Sequence, residues 1–158
     1  TMGTFGGGRL SRGRMGVSII TEAVGVWFFA QSTQRYLYLL RSDVKNPERW
    51  GLPGGKVEKN ESLLTAIERE CTEEMNTMPA YTKLVPIEKF TSPNDTFYYH
   101  TFFCLLEDEF TPVLNHEHTG YAWINKGIIP KPLHPGLWAT LKIDDIYKRI
   151  KTVEELYA

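Results

Sequence analysis

Gly55-Lys56-Val57-Glu58-Lys59-Asn60-Glu61-Ser62-Leu63-Leu64-Thr65-Ala66-Ile67-Glu68-Arg69-Glu70-Cys71-Thr72-Glu73-Glu74-Met75-Asn76-Thr77 is the stretch whose reading decides the fold. Leu64, Ile67, Cys71 and Met75 recur at spacings of three, four and four, the apolar stripe of a helix lying on a core, and predict a helix over 62–75. Each residue of a helix advances about 100°, so Glu70, Glu73 and Glu74 project from one side, opposite or lateral to that stripe. Like charges at this spacing destabilise a helix and raise one another's pKa values, a conflict that a purely structural helix gains nothing by keeping. A bound divalent cation removes the conflict. Oxygen-only ligands select hard Mg²⁺ or Mn²⁺, and Mg²⁺ is commonly shared between carboxylates and substrate phosphates, which points to phosphate chemistry. For an arbitrary glutamate-rich helix the competing reading is a solvated acidic face.

Outward from this helix the chain alternates between strand-like and loop-like segments. Residues 18–30 and 36–41, rich in β-branched and aromatic side chains and separated by the polar turn 31–34, read as a hairpin. A loop punctuated by proline and glycine follows over 42–58 and contains Trp50-Gly51-Leu52-Pro53-Gly54-Gly55. Beyond the helix, strands are expected at 84–91, 96–106 and near 121–124, and Ile143, Ile146, Tyr147, Ile150 and Val153 return to helical spacing. Strands thus outnumber helices too far for a regular βαβ series, and an α/β fold with a mixed sheet flanked by helices is expected.

The bulk properties set the frame. With 158 residues, net charge −1, 42% hydrophobic and 23% charged residues, the chain suits one globular domain that needs no disulfide or structural metal for its core. Cys71 and Cys104 show no metal-ligand spacing and favour a reducing, cytoplasmic setting. The longest apolar run, Ala23 to Ala30, is far short of the ~20 residues that span a bilayer, which argues against a membrane role. The near-zero net charge argues against a nucleic-acid coating protein. Residues 1–16 hold six of the thirteen glycines and three arginines, and read as a flexible tail or added linker ahead of a domain over 17–158. Their triple glycine lacks the Lys-Ser/Thr of a P-loop.

Counting from Gly55, five residues lead to Glu61 and seven more to Arg69-Glu70, followed by an apolar residue, a free position and Glu73-Glu74. This pattern resembles the Nudix box, in which Gly, five residues, Glu, seven residues, Arg-Glu-apolar-x-Glu-Glu-x-Gly-apolar follow one another. Every charged position is present. Asn76 stands where the family has its final Gly, and Thr77 where it has an apolar residue. Asn is second to Gly in the left-handed conformation that ends a helix, so Asn76 is expected to do the same backbone work.

The resemblance implies a Nudix-type α/β/α sandwich and a Mg²⁺-dependent hydrolase, with Mn²⁺ as substitute, of the MutT-like kind. Its substrate would be a nucleoside diphosphate linked to another group: a nucleotide sugar, ADP-ribose, a dinucleoside polyphosphate, a nucleoside triphosphate or a capped RNA end, the last disfavoured among these by the weak charge balance. Carried over residue by residue, the carbonyl of Gly55 or its neighbour Gly54 and the carboxylates of Glu70, Glu73 and Glu74 would hold the metal. Glu61 and Arg69 would pair and tie loop to helix. The general base would be Glu70 or a glutamate on a later loop, for which Glu117, in Glu117-His118-Thr119-Gly120-Tyr121-Ala122-Trp123, is the best candidate. Arg41, ending the second strand, is a candidate phosphate contact. His100, His116, His118 and His134 form no zinc-site spacing and read as ordinary loop or core histidines, and Trp27, Trp50, Tyr98 and Trp123 as core before base-stacking groups. Specificity is expected from loops at 31–34, 92–95 and 126–136. A homodimer is compatible with the family, and a ligand sensor that does not cleave is the alternative from a different functional class.

Overall fold

The structure is a computed structural model that describes residues 20–42, 47–135, 137 and 144–157. The tail expected over 1–16, the strand start at 18 and 19, and Ile143 lie outside the described residues. Seven strands form one sheet: β1 (Thr21–Ala30), β2 (Arg35–Arg41), β3 (Trp50–Gly51), β4 (Gly54–Lys56), β5 (Lys83–Thr91), β6 (Phe97–Leu106) and β7 (His118–Asn125). Two helices, α1 (Leu63–Met75) and α2 (Asp144–Tyr157), complete the described elements. The order β3-β2-β1-β6-β5 carries β4 on β1 and β7 on β2. The sheet is mixed, because β1 runs parallel to β6 from Thr21↔Phe97 to Ala30↔Leu106 while its other pairings are antiparallel. The sandwich expected from the sequence is the fold observed.

Alternation along β1 supplies both cores. Val24, Val26 and Phe28 face one way and pack with Ala66, Ile67, Cys71 and Met75 of α1. Trp27 and Phe29 face the other way and pack with Tyr36, Phe103, and Ile146 and Val153 of α2. Buried on both faces, the strand reads as a near-continuous apolar run. Trp27 donates to the Tyr38 hydroxyl at 3.2 Å and Trp123 to the Phe110 carbonyl at 3.1 Å, so both indoles are core groups.

Helix α1 begins where its caps dictate. Ser62 is extended (φ −75°, ψ 160°) and its hydroxyl accepts from Thr65 N, so the helix starts at Leu63 with Ser62 as its cap. At the other end Asn76 adopts the left-handed conformation (φ 63°, ψ 11°) and its N–H reaches the Thr72 carbonyl, as its place in the sequence pattern led one to expect. The strand over 121–124 proves longer, starting at His118, and β3 and β4 are short strands inside the stretch expected to be loop. Among the described residues no helix is long and apolar enough to cross a membrane.

Candidate active site

The loop ahead of α1 is held on the sheet by backbone pairing. Gly54 and Gly55 oppose Gly25 and Val24 of β1, and Val26 N donates to the Pro53 carbonyl at 2.9 Å. Gly54 has φ +145°, a conformation that L side chains rarely adopt, and its N–H donates to Glu74 Oε1 at 3.0 Å. At Gly55 a methyl group would overlap the Glu70 carboxylate, so that carboxylate can rest against the loop where it does only because residue 55 has no side chain.

Arg69 locks that approach. Its Nε and Nη2 donate to the two oxygens of Glu61 at 2.8 and 2.9 Å, a bidentate pair, and Nη2 also donates to the Lys56 carbonyl at 2.9 Å. Its Nη1 donates to Glu70 at 3.1 Å and to Glu73 at 3.4 Å. The hydrogen bond from Arg69 is the main reason the Glu61 carboxyl lies below the usual range, and the same bond raises the Arg69 pKa.

Glu70 and Glu74 are pushed the other way. Burial lifts Glu70 to about 7 despite the charge and hydrogen bond of Arg69, and Glu73 and Glu117 add to the rise. Glu74, only 5% exposed, is driven well above the usual carboxylate range by burial. The Gly54 N–H and Arg41 oppose that rise, while Glu70 and Glu117 reinforce it. Four acids, Glu70, Glu73, Glu74 and Glu117, thus share one cleft of about 760 Å³, which Arg41, Gly54, Gly55, Lys56 and Arg69 also line.

A second loop meets α1 from the far side. Val113 N donates to the Met75 carbonyl at 3.2 Å and Asn115 N to the Glu74 carbonyl at 3.3 Å, which fixes this loop to the end of the helix. Asn115 Oδ1 accepts from Glu117 N at 3.0 Å, and Ser42 N donates to the Glu117 carbonyl at 2.9 Å. Glu117, an exposed residue, and His118, 7% exposed, follow directly.

All the residues singled out from the sequence line this cleft except Glu61, which acts on it through Arg69. They do not all converge on one point. Among the described residues, the set whose donor atoms lie within 4.8 Å of one another is Glu74, Glu117 and His118. The Glu73 side chain is 57% exposed and is bonded to Arg69. Glu74 departs from the helical-wheel picture of an outward acidic face, because β4 and the 113–117 loop close over it. Residues 20–22 and 57–59 line the cleft, whereas among the described residues 31–34, 92–95 and 126–135 do not. Helical periodicity could not have found His118, and it reads in sequence as one of four unremarkable histidines.

The donors fit a divalent cation. Buried carboxylates that raise one another's pKa have lost hydration and gained no full countercharge, and a cation supplies that charge. Gly55, whose missing side chain leaves room for Glu70, is the kind of opening such a centre needs. Set against substrate phosphates, the cluster can hold metal while Arg41 and Lys56 supply further positive charge at the walls.

The family model described as NUDIX domain matches residues 20–142. Similar solved structures include a MutT protein from Methanosarcina mazei Go1, 22% identical over 85% of this chain and 95% of that one, TM-score 0.61. A Nudix hydrolase from M. smegmatis, RenU, is 19% identical over 88% and 87%, TM-score 0.64. A bifunctional NMN adenylyltransferase/ADP ribose pyrophosphatase from Francisella tularensis is 20% identical, matched over 72% of this chain and 36% of that one, TM-score 0.56. At these identities the likeness is one of fold. A comparison with curated proteins gives no match.

Proposed function

Because this chain belongs to the NUDIX domain family and is a Nudix hydrolase, we propose that it cleaves the pyrophosphate linkage of a nucleoside diphosphate derivative with the aid of Mg²⁺, for which Mn²⁺ can substitute. The observation that carries this reading is the burial of Glu70 and Glu74 together in a cleft whose own cations do not bring either back to an ordinary carboxylate pKa.

Glu70, Glu73 and Glu74, with the Gly55 carbonyl, are the proposed ligands. They would hold a divalent cation whose chemistry would be to neutralise charge on the phosphoryl oxygens and to make the attacking water more acidic. The chain's own groups do the rest. Glu70 inside the cleft and Glu117, exposed on its wall, are the two candidate bases for the proton lost by water. Arg41, on the wall of the cleft, is the proposed contact for the substrate phosphates. Arg69, fixed by Glu61, keeps the loop of Gly54 and Gly55 against the helix and orients Glu70 without touching substrate.

The test is product analysis with Mg²⁺ across ADP-ribose, nucleotide sugars, dinucleoside polyphosphates, nucleoside triphosphates and capped RNA, for the parent and Glu74→Gln. ADP-ribose heads the panel because the Francisella tularensis neighbour is an ADP ribose pyrophosphatase. Cleavage of one class by the parent, lowered by orders of magnitude in the variant, is expected. Near-normal turnover by Glu74→Gln would remove Glu74 from the metal site.

A further inference from the structure

Among the described residues, the place where three possible metal donors meet is not made of box residues alone, since α1 and the stretch running into β7 both contribute to it. Glu74 comes from α1, Glu117 from the loop after residue 113, and His118 from the first position of β7, each offering a donor atom within 4.8 Å of the other two. Two of the three residues are buried. His118 reaches this position through an irregularity in pairing. Leu40 of β2 opposes Gly120, yet Arg41 opposes His118, so Thr119 is an extra residue on β7. Such a bulge breaks the two-residue alternation of a strand and re-aims the side chain beside it. Hydrogen bonds from Asn115 N to the Glu74 carbonyl and from Ser42 N to the Glu117 carbonyl then hold this stretch against α1 and the end of β2.

We propose that His118 supplies a nitrogen ligand to a cation position shared with Glu74 and Glu117, and that this position takes a first-row divalent transition metal in preference to Mg²⁺. The inference rests on the reading above that Glu74 helps to hold a divalent cation, and adds to it the kind of metal. A histidine serving only to neutralise one acid needs one carboxylate beside it; here two carboxylates and an imidazole converge. Mg²⁺ takes oxygen ligands and keeps its waters, whereas imidazole binds late first-row metals, with affinity at a mixed nitrogen and oxygen site rising from Mn²⁺ through Fe²⁺ to Co²⁺. An all-carboxylate site follows the same order more weakly, so the Co²⁺ affinity lost when the imidazole is removed identifies the nitrogen ligand.

The experiment titrates the metal-free full chain with Co²⁺ and with Mg²⁺ by calorimetry, following the visible absorption of Co²⁺, for the parent, His118→Asn, Glu117→Gln and Glu70→Gln. The parent is expected to bind Co²⁺ at least tenfold more tightly than Mg²⁺. Expected too is a Co²⁺ affinity at least tenfold lower in His118→Asn and in Glu117→Gln, with Mg²⁺ binding by His118→Asn within threefold of the parent. If the buried substitution prevents folding, Zn²⁺ added to the parent carrying ¹⁵N-labelled histidine should move the His118 ring nitrogen to its ligated position. Unchanged Co²⁺ affinity and absorption in His118→Asn, or a His118 resonance that Zn²⁺ leaves in place, would overturn the proposal. If Glu70→Gln then still loses Mg²⁺, the box reading survives. Failure of the parent to bind either metal would overturn both.

Discussion

Replacing Glu70 by Gln should stabilise the metal-free protein at alkaline pH while removing activity. The Glu70 side chain is 14% exposed, and burial raises its folded pKa to about 7 from the usual 4.5 even with Arg69 at 3.1 Å. A carboxyl with a raised pKa binds more protons folded than unfolded between those values, so stability falls as pH climbs from about 4.5 through about 7 and stays low above it. At about 1.4 kcal/mol for each tenfold, the cost at pH 8 is about 3 kcal/mol. Below about pH 5 it is under about 1 kcal/mol, because the folded state still carries the proton. Gln has the shape of the protonated acid and keeps Arg69 on Glu61, so most of that cost should vanish. For a domain of this size, about 2–4 °C per kcal/mol gives a rise in Tm of roughly 5–10 °C at pH 8. The assay is thermal unfolding in EDTA at pH 5 and pH 8, repeated with Mg²⁺. The parent should gain far more from Mg²⁺ at pH 8 than the variant does. An equal effect at both pH values, or a lower Tm of the variant at pH 8, would refute the argument that Glu70 is destabilised by its burial.

Arg69→Lys cannot reproduce the fork on Glu61 or the bond to the Lys56 carbonyl, so it should cost about 1–3 kcal/mol in urea unfolding at pH 7. Because Glu61 is held below its usual pKa, the parent's advantage is present above pH about 4.5 and is lost as pH falls below that; a gap that persisted into strong acid would count against the pair as its source. Gly55→Ala puts a methyl into the Glu70 carboxylate and should lower Mg²⁺ affinity and kcat together, read by calorimetry and steady-state kinetics; unchanged values would show that the loop moves aside at no cost.

The helix of the site was legible because each of its features is local. Leu64, Ile67, Cys71 and Met75 declare the period, Asn76 declares the C-terminal end, and Glu61 lies one loop away from the Arg69 that binds it. The stripe was not followed to the letter, since Leu64 is 46% exposed while Ala66 is buried. The face of Glu74 was harder to read. A helical wheel treats the outside of a helix as water until another element covers it, and here β4 and the loop at 113–117 do so. Short strands such as β3 and β4 carry too few residues to show alternation, so they read as loop.

The mixed sheet flanked by helices and the box with its acids could be read along the chain because they depend on periodicity and short-range spacing, and the resemblance carried by the box implied the sandwich and the loop-to-helix pair. The burial of Glu74, the walls that residues 20–22 and 57–59 give the cleft, and the meeting of His118 with Glu74 and Glu117 emerge once the chain is folded. The physical reason is that these contacts join segments dozens of residues apart through sheet register. A bulge of one residue in β7 changes which side chain reaches the site, and no count along the chain contains it.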